Sequence, residues 1–285
     1  MLADCDGLSY SRRIEVGEAV LTTFLVGKLR MKTSEIVRPG TELPPGVSLD
    51  DVNDLPVYSA HIAIGKASIV IDPCDYEALL QVDAPWKVPG YTPPPPLLDQ
   101  MARAGIGRAK TTHVILTHFH SDHIIGSTLK EANGKYVPAF PSARYYLGAA
   151  DWNSADVQAA LKENPEYANT LGVLNSSKIL NLLERPVEIV PGLIVVPMPG
   201  ESPGHQIVRV TSKGRVLYCI GDLFHEPMDV ADPRIMSEWN DPVANLRSRD
   251  LFLVEASVNH ALVVAGHMGV GRILRSPTSY GWKEA

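Results

Sequence analysis

Hydrophobic residues along the chain fall into short dense runs, and the spacing within each run assigns it an element. Ala19–Val26 (AVLTTFLV) is rich in β-branched and aromatic residues, which marks a strand. Val57–Ile64 and Ala67–Ile71 read as two further strands, joined by the two-residue hairpin signal Gly65-Lys66. The stretches Arg38–Asp54 and Val82–Pro96, the latter ending in four prolines, read as loops. Leu97–Ala104 reads as a helix stopped by Gly105, and Val114–Leu116 as a short buried strand. In the second half, helical spacing is assigned to Ala143–Asp151, to Ser154–Asn164, and from Pro165 to about Glu184. Strands follow at Val187–Val190, Leu193–Pro197, Gln206–Ser212 and Arg215–Ile220, the last two linked by Lys213-Gly214. A helix over Pro242–Ser257 and a strand over Ala261–Ala265 close the pattern. Strands come in runs with helices between the runs. That predicts an α+β arrangement of sheets packed on one another with helices outside, and not a strictly alternating parallel sheet.

Length narrows this picture. A folded chain of 285 residues buries roughly 75% of the surface its unfolded form exposes. It needs no metal or disulfide to fold, so a metal site found in it is free to be functional. No linker divides the halves, and the reading is a single domain over residues 1–285. The net charge of −6 argues against a nucleic-acid surface, and the 45% hydrophobic content argues against disorder. The three cysteines (Cys5, Cys74 and Cys219) include no CxxC pair, which fits a reducing compartment. Cys74, in Asp72-Pro73-Cys74, reads as a buried structural thiol. The acidic start lacks the apolar core of a signal peptide, and no apolar run is long enough to span a bilayer. The expectation is a soluble, cytoplasmic protein with no membrane partner.

Chemistry concentrates directly after Val114–Leu116, in Thr117-His118-Phe119-His120-Ser121-Asp122-His123. Imidazole and carboxylate are ordinary ligands of zinc and similar ions. Residues two apart on an extended segment share a face, so His118 and His120 can grip one ion together. A turn into a helix would carry Asp122 and His123 past it toward a second ion. Packing alone is a poor account of three histidines and an aspartate within six residues.

This stretch resembles the signature of the metallo-β-lactamase superfamily. Three further features match that family's order: Pro199–His205 (PGESPGH), Gly221-Asp222 after an apolar strand, and Gly266-His267 after another. The resemblance runs from about residue 57 to 267 and implies a four-layer αββα sandwich with a metal site on one edge. It implies two divalent ions. His118, His120 and His205 would hold the first, Asp122, His123 and His267 the second, and Asp222 would bridge them. Zinc is the expected ion, with iron, manganese or cobalt as alternatives. A bridging hydroxide would attack the substrate, and Asp122 would carry a proton from nucleophile to leaving group. His225, three residues past Asp222, stands where related enzymes place a substrate-contacting side chain. It is a candidate catalytic donor, against the plainer reading of a loop prop. His61 and His113 read as packing or surface residues and His260 as a turn residue.

Within the superfamily, GDLFHEP (Gly221–Pro227), Arg247–Val254 and Tyr280-Gly281-Trp282 resemble the lactonase and methyl parathion hydrolase-like branch. Glu201 stands where that branch usually has a histidine and is expected to lie outside the ligand set. The resemblance implies hydrolysis of a carboxylic ester or lactone, with phosphotriesters secondary. The alternatives are a thioesterase of glyoxalase II type and a non-catalytic metal-binding regulatory protein. Residues 1–56 form an N-terminal extension to the motif-bearing core. Their apolar residues (Leu21, Phe24 and Met31), with Trp86 and Tyr91, would cover the core, line the pocket mouth or serve a homodimer.

Overall fold

The computed structural model describes residues 10–82 and 84–285; Cys5 lies outside the described residues. Sixteen strands form two seven-stranded sheets and one hairpin. The first sheet contains β1 (Ser11–Val16), β2 (Ala19–Lys32), β3 (Val52–Ile64), β4 (Ala67–Ile71) and β5 (His113–Ile115). The hairpin β6 (Thr128–Lys130) and β7 (Tyr136–Pro138) stands apart, and β8 (Arg144–Gly148) and β9 (Leu180–Leu183) complete the first sheet. Its order is β1-β2-β3-β4-β5-β8-β9, antiparallel as far as β4 and parallel from β4 to β9. The second sheet runs in chain order through β10 (Val187–Val190), β11 (Leu193–Pro197), β12 (Gln206–Ser212), β13 (Arg215–Cys219), β14 (Leu262–Ala265), β15 (Gly269–Arg275) and β16 (Tyr280–Glu284). Only its β13–β14 pair is parallel, because the helix Pro242–Val258 crosses over between them.

Alternation along the strands builds the layers. Ile69 and Ile71 of β4, Ile115 of β5, Leu217 and Cys219 of β13 and Val264 of β14 meet in one core between the sheets. Their neighbours Val70 and Val114 point the other way, into a second core under the helices Tyr76–Val82 and Leu97–Arg103. Tyr218 and Val263 likewise face Phe252, Leu253 and Ala256 of the helix Pro242–Val258. Helix, sheet, sheet and helix are therefore the four layers implied by the resemblance.

Two helical assignments fail. Most of Ala143–Asp151 is the strand β8, and the end of Pro165–Glu184 is the strand β9; helix persists only at Ala149–Trp152 and Pro165–Ser176. Tyr145 and Leu147 bury on one face of β8 and Tyr146 on the other, so no period-2 alternation of polarity marks it. β2 and β3 run longer than their apolar segments, pairing from Val20↔Ala63 to Lys32↔Val52. Leu21 and Phe24 are fully buried and Met31 nearly so, hence interior residues and not an exposed face. Among the described residues no helix is long and apolar enough to cross a membrane.

Candidate metal centre

Parallel pairing brings the carboxyl ends of β4 and β5, and of β13 and β14, to one edge, where each strand is followed within three residues by a polar side chain. Asp72 follows β4, Thr117–His120 follow β5, Asp222 follows β13 and His267 follows β14. His118 lies in the bend Thr117–Phe119 and not on the extended segment expected, while His120 is extended and precedes the short helix Ser121–Ile124, which turns Asp122 and His123 inward. Close approach explains two glycines. A Cβ at Gly221 would sit 2.4 Å from Thr117 Oγ1, and one at Gly266 would sit 2.4 Å from Asp222 Oδ1.

Two groups of four donors result, each with its donor atoms within 4.8 Å of one another. Asp122, His123, Asp222 and His267 form one. His123 Nε2 lies 3.3 Å from Asp122 Oδ2 and 3.2 Å from Asp222 Oδ1, and His267 Nε2 lies 3.3 Å from Asp122 Oδ2 and 3.0 Å from Asp222 Oδ2. Donors bound to one tetrahedral ion at 2.0–2.2 Å are about 3.4 Å apart, so the group needs little adjustment to close on one. His118, His120, Glu201 and Asp222 form the other group. Asp222 belongs to both.

The donor chemistry suits divalent cations. Buried Nε2 atoms of His118, His123 and His205, Oδ1 of Asp222 and Oε2 of Glu201 have no hydrogen-bond partner. Such orphans are costly unless something cationic satisfies them. The other ring nitrogens are anchored. His123 Nδ1 donates to Asp72 Oδ2 (3.0 Å), His205 Nδ1 to the Met198 carbonyl (3.1 Å) and His267 Nδ1 to the Pro56 carbonyl (2.9 Å). This turns each Nε2 toward the cluster. Burial opposes charge on Asp122 and Asp222, yet His123 and His267 beside them hold both well below the usual carboxylate range. Reciprocally, and against burial, Asp222 and Asp122 push His267 up to about 10. Burial, with His123 and His120 adjoining, holds His118 well below its ordinary value.

All seven ligand candidates lie at this edge, and Asp122, His123 and His267 meet Asp222 as the resemblance implies. The departure is in the other group: Glu201, set outside the ligand set on sequence grounds, stands in it, while His205 falls outside it, its ring 5.4 Å from that of His118 and its Nε2 unpaired. The reason is burial: Glu201 sits on the tight loop between β11 and β12 with no exposed side-chain surface, 3.6 Å from His118 Nε2 and 3.3 Å from His120 Nδ1. Two supporting residues also escaped the sequence reading. Asp72, with φ of 49°, accepts from the Thr117 backbone N–H and hydroxyl as well as from His123. Asp151 accepts from Ser202 Oγ and the Gly204 N–H, fixing the loop that carries Glu201 and His205; burial pushes it up to about 7. An acid immediately after an apolar strand was the available signal for Asp72.

A cavity of about 340 Å³ opens onto the centre. Leu29, Met31, Ile36, Leu55 and Trp86 line one side, and Asp122, Asp222 and His267 the floor. His225 also lines it, with Nε2 3.4 Å from Asp222 Oδ2 and its ring stacked on His267. Burial disfavours its charge, but the neighbouring carboxylates of Asp222 and Asp229 push it up to about 9. His61 is buried in β3, His113 is half-buried against Tyr146, and His260 occupies a turn with φ of 47°.

Sheet order, layering and the histidine–aspartate edge together define a metallo-β-lactamase fold, and residues 53–267 match that superfamily. The chain belongs to it. Probable metallo-hydrolases of Mycobacterium tuberculosis and Mycobacterium bovis are each 28% identical over 138 residues, or 44% of this chain. The match spans 41% of the length of those relatives. Among solved structures, the hydrolase AbOPH of the beta lactamase superfamily superposes with a TM-score of 0.76 at 18% identity, covering 98% of both chains. AidC, a dizinc quorum-quenching lactonase, superposes with a TM-score of 0.74 at 19% identity, also covering 98% of both. At these identities the superpositions speak to fold.

Proposed function

We propose that the chain is a dinuclear metal-dependent hydrolase of carboxylic esters or lactones, with phosphotriesters as secondary substrates. The observation that carries this reading is the meeting of two N/O donor groups, sharing Asp222, with the floor of a largely apolar cavity. Divalent ions held there would supply activated water and polarise the attacked carbonyl. Around them the side chains divide the work. Leu29, Met31, Leu55 and Trp86 take up the acyl part and exclude water from the floor. Asp122, with 12% of its side chain exposed, belongs to the second group and also lines the cavity, so it can accept a proton and return it to the leaving group. His225 is placed to donate to the oxyanion that develops on the carbonyl. The resemblance of Gly221–Pro227 and the C-terminal segments to the lactonase branch favours a lactone over a thioester. The homodimer reading rests on the resemblance alone, since Leu21 and Phe24 are committed to the interior and Met31 to the cavity wall.

The test is a panel of lactones, carboxylic esters, thioesters and phosphotriesters offered to the fully metallated protein, run beside Asp122→Asn. Lactones or esters should turn over fastest. Asp122→Asn should keep much of its metal and lose most of kcat. Inactivity across the panel would favour a binding protein, a preference for thioesters would favour the glyoxalase II type, and near-wild-type turnover in the variant would remove Asp122 as proton carrier.

A further inference from the structure

We propose that Glu201 is itself a ligand of the first ion, and that its carboxylate weights this centre toward a harder cation than zinc, such as Mn(II) or Fe(II). This rests on the metal-hydrolase reading of the same site. Glu201 is fully buried, and its two oxygens have different surroundings. Oε1 accepts a hydrogen bond of 2.9 Å from Trp239 Nε1, while Oε2 has no hydrogen-bond partner. That free oxygen lies 3.6 Å from His118 Nε2, which is also unpartnered, and His118 Nε2 lies 3.9 Å from Asp222 Oδ2. These separations are close to those of donors sharing one ion. A buried carboxylate oxygen left facing the unpaired imidazole nitrogen of His118 is tolerable only if a cation stands between them.

Trp239 gives the arrangement its direction. Its indole N–H holds Oε1, so rotation of the carboxylate is restricted and Oε2 stays turned toward His118. Its ring stands edge-on to His120 at 6.1 Å, covering the outer side of the same centre. With Glu201 and Asp222 as oxygen donors and His118 and His120 as nitrogen donors, the first centre gathers four protein ligands, two of them anionic oxygens. Without Glu201 it would keep one carboxylate and two imidazoles. The added carboxylate oxygen suits Mn(II) and Fe(II).

The test compares the purified chain with Glu201→Gln, which keeps the shape and the oxygen facing Trp239 but removes the charge. Both are stripped, then titrated with Mn(II), Zn(II) and Co(II) separately, following binding by calorimetry and elemental analysis and coordination by Co(II) absorption and Mn(II) paramagnetic resonance. The wild type should bind two ions and take Mn(II) into one centre. Glu201→Gln should lose roughly 10–100-fold in affinity for one Mn(II), change its Co(II) spectrum and hold Zn(II) much better than Mn(II). Trp239→Phe, which retains the carboxylate, should keep both ions with a smaller loss. Wild-type Mn(II) affinity and an unchanged Co(II) spectrum in Glu201→Gln would overturn the proposal. If that variant does not fold, Glu201→Asp replaces it, and unchanged binding of both metals by the shortened carboxylate overturns the proposal equally. These readouts do not depend on turnover. Two ions bound with Glu201 dependence and no hydrolysis would sink the enzymatic reading and leave the ligand assignment standing.

Discussion

His61 shows how a single side chain ties stability to pH away from the metal centre. It sits in β3 between Thr22 and Val70 on the adjoining strands, is buried, and shares a hydrogen bond of 2.8 Å with Ser68 Oγ. Burial lowers it from 6.5 to about 4, so the folded chain resists a proton that the unfolded chain accepts. Above pH 6.5 both states are neutral and nothing is lost. As pH falls from 6.5 to about 4 the unfolded state gains protons first, and the native state gives up about 3 kcal/mol. Urea unfolding of chelated protein at pH 7 and pH 4 should show wild type losing about that much more than His61→Gln. Equal losses would remove His61 from the account. At this same scale the histidines and aspartates of the motif were legible, because an HxHxDH run has little to do in packing. Glu201, Asp72 and Asp151 were not. Their roles come from where the chain returns: Asp151 acquires its partners from Ser202 and Gly204, some fifty positions on, and Glu201 acquires Trp239 from a still later loop.

Among the elements, the helix Pro242–Val258 does more than cover the second sheet. Arg249 projects from it into the interior with no exposed surface, and donates through Nε to the Leu223 carbonyl (2.7 Å) and through Nη1 to the carbonyls of Pro233 and Ile235. Its guanidinium lies over Phe224 and 3.7 Å from Asp229 Oδ2. One helical residue thereby holds the whole loop after Asp222, with His225 on it. Arg249→Met fills the volume but takes the donor from three carbonyls and the cation from beside Asp229, which keeps only the His225 N–H, at about 3–5 kcal/mol. Thermal melting should register that loss, and hydrogen exchange should rise across residues 223–240. Arg249→Lys should not rescue it, since one ammonium cannot reproduce a planar fork. An unchanged melt for Arg249→Met would show that the loop is held by other contacts. Neither this role nor the strand nature of β8 and β9 could be read locally. RSRDLFLV announces a helix but not which arginine turns inward, and LNLL is indistinguishable from the helix before it until it pairs with β8.

For the molecule as a whole, fold and metal centre are separable, and chelation should show it. The core between the sheets draws on Leu21, Ile62, Ile69, Val195, Val208, Leu217 and their neighbours, none of which is a donor, so removing ions removes no apolar burial. What remains at the edge is a dense buried set of carboxylates and imidazoles whose unpaired atoms had been turned toward cations. Stripped protein should therefore keep its far-ultraviolet dichroism and a cooperative transition while unfolding at lower temperature. Ions that bind only the folded state add about 4 kcal/mol each when present at a thousandfold over their dissociation constants. The melting temperature should then climb with metal concentration and keep climbing past saturation. Two separable steps in that climb would mark two centres of unequal affinity. One step, with a single ion retained per chain, would mean that the shared Asp222 serves only one ion. A melting temperature indifferent to a chelator that demonstrably removes metal would mean that the orphaned donors are satisfied some other way.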